Sequence, residues 1–288
     1  MSFVLIGFPA GADENLLGYV KGAEPLPAGG VELYQVVTSR KGKAAGRYHA
    51  IDTETEVEYG VTNRFSVMGS LFAQSIDTSG LVINGYLPKD HSGGLELAGV
   101  EAGMKYNFLS AVTNPIGLSA QIGFDYRWLD PHSGQDKDTF ATEILFIFQK
   151  YLLDAQLILT ANLGLESTHA TRGKLSDLPD EDFDWPTKPE MEIEPKAGFG
   201  VAYRFVPNWF AGAEAIYETE YETDIGQERW SWFAGPSLHY SHRAWWATLT
   251  WLPQIAGGGE EYDGQTRRDL HLIEKTEQEV RLKVGLNF

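Results

Sequence analysis

The chain has 288 residues, twelve per cent of them aromatic including eight Trp, no cysteine, and a formal net charge of −17. That charge argues against nucleic acid as a partner, because phosphate binding needs clustered Lys and Arg, and the missing cysteines remove disulfides, thiolate metal sites and cysteine nucleophiles. No uncharged apolar run approaches the roughly 18 residues of a membrane helix, which leaves open a membrane barrel, whose strands carry a much weaker signal.

The N-terminus reads "MSFVLIGFPAGADENLLGYV". An apolar stretch from Phe3 to Phe8, a turn-forming Pro9 and the small triplet Ala10-Gly11-Ala12 resemble the end of a secretory signal over residues 1–12, without its basic n-region. A short first strand is the alternative reading. Residues 13–29 contain Pro25 and Pro27, which discourage strand pairing; the segment either threads into the opening of the fold that follows as a partial plug, or dangles as a terminus. Leu16, Leu17 and Tyr19 favour packing.

From residue 30 to 288 the chain alternates apolar and polar residues in twelve segments, each about the 9–11 residues or more that a tilted membrane-crossing strand needs. Their expected limits are 30–40, 47–60, 65–76, 95–108, 116–129, 139–150, 154–167, 191–205, 209–220, 229–240, 244–255 and 277–288. Ten or fourteen strands remain alternatives at the edges. The links alternate in kind: "VTNR", "LSAVTNP", "KYLLD", "VPN" and "SHR" are short, whereas most of the others are longer and polar. Short turns at one rim and longer loops at the other predict an all-β, up-and-down antiparallel transmembrane barrel, its turns on the periplasmic side.

The faces of the strands say which side is wet. Strand five sets Ile116, Leu118, Ala120, Ile122, Phe124, Tyr126 and Trp128 on one face; strand eleven sets Trp245, Ala247, Leu249, Trp251, Pro253 and Ile255. Aliphatic residues fill the middle of such faces and large rings gather at the ends, so Trp128, Tyr203, Phe205, Trp209, Trp230, Trp232, Tyr240, Trp245, Trp251 and Phe288 are the expected interfacial girdles. The opposite faces carry charge. Burying that many charges in a dry core costs several kcal/mol each unless they are paired, so the lumen is expected to be polar.

The lumen candidates are Asp52, Glu54, Glu56 and Glu58 in "DTETEVEYG", then Glu101, Asp125, Arg127, Glu143, Glu194, Arg204, Glu214, Glu218, Arg281 and Lys283. Glu166, Lys105 and Lys196 join them by parity. Four like charges on one strand face repel unless water or bases screen them; Arg281 and Lys283 answer them if the closing seam sets strand one between. The acidic balance predicts cation preference by the carboxylate-ring logic of channels, and a solvated wall with no selective role is the alternative.

The last ten residues, "EVRLKVGLNF", put Val280, Leu282, Val284, Leu286 and Phe288 on one face. Such a terminal strand ending in Phe resembles that of Gram-negative outer-membrane barrels, which implies an outer-membrane location and recognition by the barrel assembly machinery. "LPAGGVELYQVVTSRKGKAAG" followed by "TETEVEYGVTNRFSVMGSLF" resembles a poorly characterised group of outer-membrane proteins similar to transporters associated with phenol-degradation pathways. This second likeness covers about the first quarter of the chain and implies transport of small solutes or an unknown role; no catalytic motif comes with it.

Other chemistry is thin. "DPHSGQDKD" offers Asp130, His132, Asp136 and Asp138 as oxygen-rich ligands for calcium, but without EF-hand spacing, and no metal or cofactor is expected. The acidic loop 173–194, with Phe183 and Trp185 among its carboxylates, could fold over the mouth as a lid or contact a protein partner of unknown kind. His91 beside Ser92 in "KDHSGGLEL" is the one pairing suggestive of a barrel hydrolase, and it lacks the pattern that outer-membrane phospholipases share. The expectation is a passive channel or transporter in contact with outer-membrane lipid; a non-conducting barrel for surface binding or assembly is the alternative, and a barrel enzyme the less favoured one.

Overall fold

The computed structural model describes residues 15–43, 45–222, 226–262, 265 and 267–288; the expected signal remnant, residues 1–12, lies outside them. Twelve strands form in chain order: β1 Val31–Lys41, β2 Arg47–Thr62, β3 Phe65–Ser79, β4 Glu96–Leu109, β5 Gly117–Leu129, β6 Asp136–Leu152, β7 Leu157–Arg172, β8 Glu190–Val206, β9 Trp209–Glu222, β10 Gly226–His242, β11 Trp245–Gly259 and β12 Gln278–Asn287. Every sequence-predicted strand is present. Half of them, β3, β6, β7, β9, β10 and β11, run two to five residues longer at the loop end, where pairing continues beyond the apolar band that periodicity detects.

All neighbours are antiparallel, and β1 pairs with β12 to close the barrel, so no strand edge is left unpaired. The seam sets β1 between β12 and β2: Thr38 faces both Arg281 and Asp52, and Val36 faces both Lys283 and Glu54. The bases of β12 are therefore one strand removed from the acids of β2. Phe288 fixes the end of the seam, its amide donating to the Val31 carbonyl at 2.9 Å.

The ladder between β10 and β11 breaks after Phe233↔Gln254 and resumes at Ser237↔Thr250. Pro236 and Pro253 fall in the gap, and neither has an N–H to give. Gly235 lies so close to β11 that a Cβ there would stand 1.9 Å from the Trp251 carbonyl oxygen. At the turn between β8 and β9, Pro207 precedes Asn208, whose φ of 69° is left-handed, as the third position of a type II turn requires.

The wall is inside out relative to a soluble protein. Leu249, Trp251, Leu163 and Phe199 are each 49% exposed on the outer face, whereas Lys105 is fully buried and Glu58 and Gln121 are 1% exposed on the inner one. Aromatic pairs gather near the rims outside, Trp209 with Tyr240 and Tyr240 with Trp245 at the turn end, Tyr126 with Trp128 at the loop end. The apolar clusters inside are small. Leu16, Leu17 and Val20 pack on Ile158, Ala202 and Phe210, and Tyr48 and Ile76 meet Leu81, Ile83, Tyr86, Leu87 and Ile273 beneath the loops.

Candidate functional site: a charged chamber inside the barrel

The residues before β1 dip into the barrel from its turn end. The carboxylate of Glu214, on β9, accepts three consecutive backbone amides, from Gly18 at 2.8 Å, Tyr19 at 2.8 Å and Val20 at 3.0 Å, and the Thr250 hydroxyl at 2.9 Å. Asn162 brackets Lys21, its oxygen accepting the Lys21 amide at 2.7 Å and its nitrogen donating to the Lys21 carbonyl at 2.9 Å. Gln149 accepts from the Ala23 amide, Lys105 donates to the Gly22 carbonyl, and Glu24 accepts from Ser110 and the Ala111 amide. Lys283 donates to Asn15, whose own amide reaches Glu32 at 3.1 Å. The wall's polar side chains thus satisfy a segment that forms no strand of its own.

Above this segment lies a chamber of about 500 Å³. Its lining carries twelve carboxylates, Asp52, Glu54, Glu101, Asp125, Glu143, Glu166, Glu192, Glu194, Glu218, Glu220, Glu274 and Glu279, against seven bases, Arg40, Arg127, Lys137, Lys196, Arg229, Lys275 and Arg281. The bases are shared: Lys196 lies within 3.4 Å of Glu143, 2.7 Å of Glu166 and 3.3 Å of Glu194, and Arg229 meets Glu194, Glu220 and Glu274. Arg40 grips Asp52 with two nitrogens, at 2.5 and 2.8 Å. Tyr19 enters the floor, its hydroxyl donating to Glu279 at 2.6 Å while the Arg281 guanidinium stacks on its ring at 3.6 Å. Gly123 leaves the space that Glu101 fills, for a Cβ there would sit 3.0 Å from the Glu101 carboxylate.

Loop residues Pro131, His132, Glu274 and Lys275 line the far end. Asp130 turns its loop inward, accepting the amides of His132 at 2.7 Å and Ser133 at 2.9 Å and receiving Arg172 at 2.8 Å. Burial alone would raise the Asp130 carboxyl; Arg172, Lys137 and the two amides overcome it and hold the group below the ordinary carboxylate value. His132 stays neutral, because burial and the nearby Arg40 and Lys43 all oppose a second proton. Arg172 also lies over the rings of Tyr86 and Trp185, and the Trp185 indole donates to the Gly173 carbonyl at 2.8 Å. Burial, then Arg229, Lys43 and Lys275, push His271 down to about 2. Burial pushes Glu274 up to about 7 against the pull of Lys275 and Lys43.

Of the sequence-predicted lumen residues, Asp52, Glu54, Glu101, Asp125, Arg127, Glu143, Glu194, Glu218 and Arg281 line the chamber. Glu56, Glu58, Glu214 and Lys283 are buried on the inner face outside that lining, Glu214 and Lys283 engaged by the N-terminal segment. Arg204 is a correction: it is exposed beside the β8–β9 turn, where its carbonyl accepts from Gln156, because its inward parity falls past the end of the lumen. The four calcium candidates do not converge. Asp130 is taken by Arg172 and its own loop, Asp138 accepts from Tyr126 outside at 2.8 Å, and Asp136 is exposed. Ser92 donates directly to Asp77 at 2.7 Å, which leaves no histidine between serine and acid as a hydrolytic triad requires. In the acidic loop, Phe183 and Trp185 are buried, and residues 190–194 belong to β8.

Several chamber residues escaped the sequence reading. Arg40, Arg229 and Glu279 were available from strand parity alone, since they share faces with Thr38, Ser231 and Arg281. Glu274 and Lys275 lie in an aperiodic loop and carried no such signal.

A family model described as a family of unknown function, DUF6662, matches residues 9–288. A comparison with the curated proteins gives no match. Among solved structures, the chain is similar to the COG4313 outer membrane channel from Pseudomonas putida F1, at 10% identity and a TM-score of 0.62, covering 92% of this chain and 98% of that one. It is also similar to the beta domain of the Bordetella autotransporter BrkA, at 10% identity and a TM-score of 0.55, covering 90% and 100%. At these identities the likeness establishes a shared barrel fold.

Proposed function

We infer that this chain, which belongs to the DUF6662 family of unknown function, is an outer-membrane barrel that passes small solutes without energy coupling and prefers cations. One observation carries the reading: an apolar outer face encloses a chamber of about 500 Å³ in which twelve carboxylates are answered by seven bases. The outer face needs lipid, since exposed Leu, Phe and Trp over a whole barrel would aggregate in water. The surplus of acid favours cations over anions, because in a confined space with low-dielectric walls each uncompensated carboxylate raises the local cation concentration.

In this reading the turns and Phe288 face the periplasm, the loops face outwards, and the final strand is the one the assembly machinery engages. That the matched Pseudomonas structure is described as an outer membrane channel supports conduction rather than catalysis, as does the direct Ser92–Asp77 hydrogen bond.

The test is single-channel conductance of the refolded protein in a planar bilayer under a salt gradient. Discrete steps with a reversal potential displaced towards the cation potential are expected; an anion-selective pore would sink the cation reading. A second reading rests on the loops turned in over one end of the chamber and the N-terminal segment lying in the other: a non-conducting barrel whose loop 173–189 binds a partner. Deleting that loop separates the two, because a channel would conduct at least as well and a binding protein would lose its partner.

A further inference from the structure

The lipid-facing wall is hollowed in one place. A row of register runs from Lys150 on β6 through Leu159, Val201 and Ala213 to Pro236 on β10, and the row beside it, on the loop side, holds Ala161, Ala215 and Ala234 with only Phe199 among them. Along these rows lies a groove of about 820 Å³, with Lys150 in its lining. Its borders stand higher than its alanine floor. The Tyr217 and Trp232 rings, 4.9 Å apart, lie one row further towards the loops, and Tyr203 and Leu238 one row further towards the turns.

The groove slopes. Lys150 lies two residues from the end of β6, Val201 five from the end of β8 and Pro236 six from the end of β10. All three strands end at turns, so the row starts near the turn rim at Lys150 and climbs into the apolar wall, as the tilt of barrel strands dictates. Lys150 is exposed, and among the described residues no hydrogen bond or ion pair takes its ammonium. A lysine on a lipid-facing wall lays its stem along the apolar surface and reaches for phosphate oxygens at headgroup level. A flexible acyl chain can follow the slope between the borders. The convex wall of a second barrel would rest on the bordering rings and leave the alanines uncovered.

We propose that this groove holds one phospholipid of the periplasmic leaflet, Lys150 donating to its phosphodiester and the alanine floor receiving one acyl chain. The choice of leaflet rests on the reading above, in which the turns face the periplasm; the site itself does not depend on conduction. The charged contact and the shaped apolar one act on one molecule, so losing either should release it.

The full-length barrel, refolded in detergent and checked by heat-modifiable gel mobility, is mixed with dioleoylphosphatidylglycerol and weighed by native mass spectrometry. One retained lipid per barrel is expected. Lys150→Gln should lower the retained fraction by about fivefold, and Ala215→Leu should lower it as far with Lys150 in place. Arg243→Gln, which removes an exposed cation from the β10–β11 turn, should leave it unchanged. Ala213→Leu replaces Ala215→Leu if the latter does not refold. Equal losses from Lys150→Gln and Arg243→Gln would mean general attraction between cations and an anionic lipid and would overturn the site, as would a parent that retains no lipid. A dimer of the parent that Ala215→Leu abolishes would make a second copy the occupant instead. The readout needs no current, so a silent bilayer would count against the pore and not against the groove.

Discussion

Arg172 at the end of β7 sets its guanidinium 2.8 Å from the carboxylate of Asp130 in the β5–β6 loop, with both side chains no more than 5% exposed. The pair joins two loop systems that strand pairing leaves independent. Through Arg172 the inward-turned 130–135 loop is tied to the rings of Tyr86 and Trp185, and so to the 80–95 and 173–189 loops. This contact adds a charged tie to those made by the Gly85 amide, which donates to the Asp184 carbonyl at 2.8 Å, and by the Tyr86 and His132 rings.

Removing the base alone strands a buried carboxylate. Arg172→Ala is expected to cost the roof about 3–5 kcal/mol, seen as faster proteolysis of the 173–189 loop with the barrel still heat-modifiable. The double variant Arg172→Leu with Asp130→Asn should recover most of that loss. If the single variant were as resistant as the parent, the pair would not be what holds the roof.

Two glycines should differ in what they tolerate. A Cβ at Gly285 would meet the Trp246 ring at 2.2 Å, and that ring can tilt at the expense of its hydrogen bond to Glu32. A Cβ at Gly235 would meet a backbone oxygen that cannot move alone. Gly285→Ala is expected to cost about 1–3 kcal/mol, the usual range for overpacking, and Gly235→Ala more, measured by urea unfolding from detergent micelles. The reverse order would contradict the close approach of β10 to β11.

His132 gives the roof a pH dependence of known sign. Its value in the fold is held below the ordinary 6.5 by burial and then by Arg40 and Lys43, so its contribution is complete above about 6.5 and declines as pH falls, by about 1.4 kcal/mol per pH unit until its own value in the fold is reached. Glu274, raised to about 7, works the other way, so overall stability is the wrong readout. Protection of the Ser133 and Gly134 amides, once their intrinsic exchange rates are divided out, should fall between pH 6.5 and 5, and His132→Gln should flatten that dependence.

Selectivity should follow the sign of each chamber charge. Neutralising Glu101 lowers the cation preference, whereas Lys196→Gln, which frees Glu143, Glu166 and Glu194 from their shared base, raises it. Opposite displacements of the reversal potential under one salt gradient are expected; shifts of the same sign would mean that the permeation path avoids the chamber.

The barrel was legible because its physics is periodic. A strand between lipid and water must alternate, and Val280 to Phe288 or Ile116 to Trp128 do so without interruption. The inner acids follow from the same parity; that Thr38 stands between Asp52 and Arg281 depends on the register of the closing seam, which parity leaves open. Arg204 shows the limit of the method, since parity gives a face but not a depth. The roof was illegible for a different reason: Lys43 reaches the carbonyls of Ile273 and Glu274 across most of the chain length, through loops with no repeat. The grip of Glu214 was hidden because its partners are backbone amides, which every residue but proline carries.

The N-terminal segment reaches β1 through Glu32, β2 through Gly60, β4 through Lys105, β5 through Ser119, β6 through Gln149, β7 through Asn162, β9 through Glu214, β11 through Thr248 and β12 through Lys283. A hollow cylinder of twelve strands resists stretching along its hydrogen bonds but flattens easily, because ovalisation only bends the sheet. Cross-ties to opposite walls are what an engineer would add to keep such a tube round. The same residues that enter the bore therefore also bear on its shape, and a barrel stripped of them would be free to flex between circular and elliptical sections, with the spacing of its wall charges changing as it did.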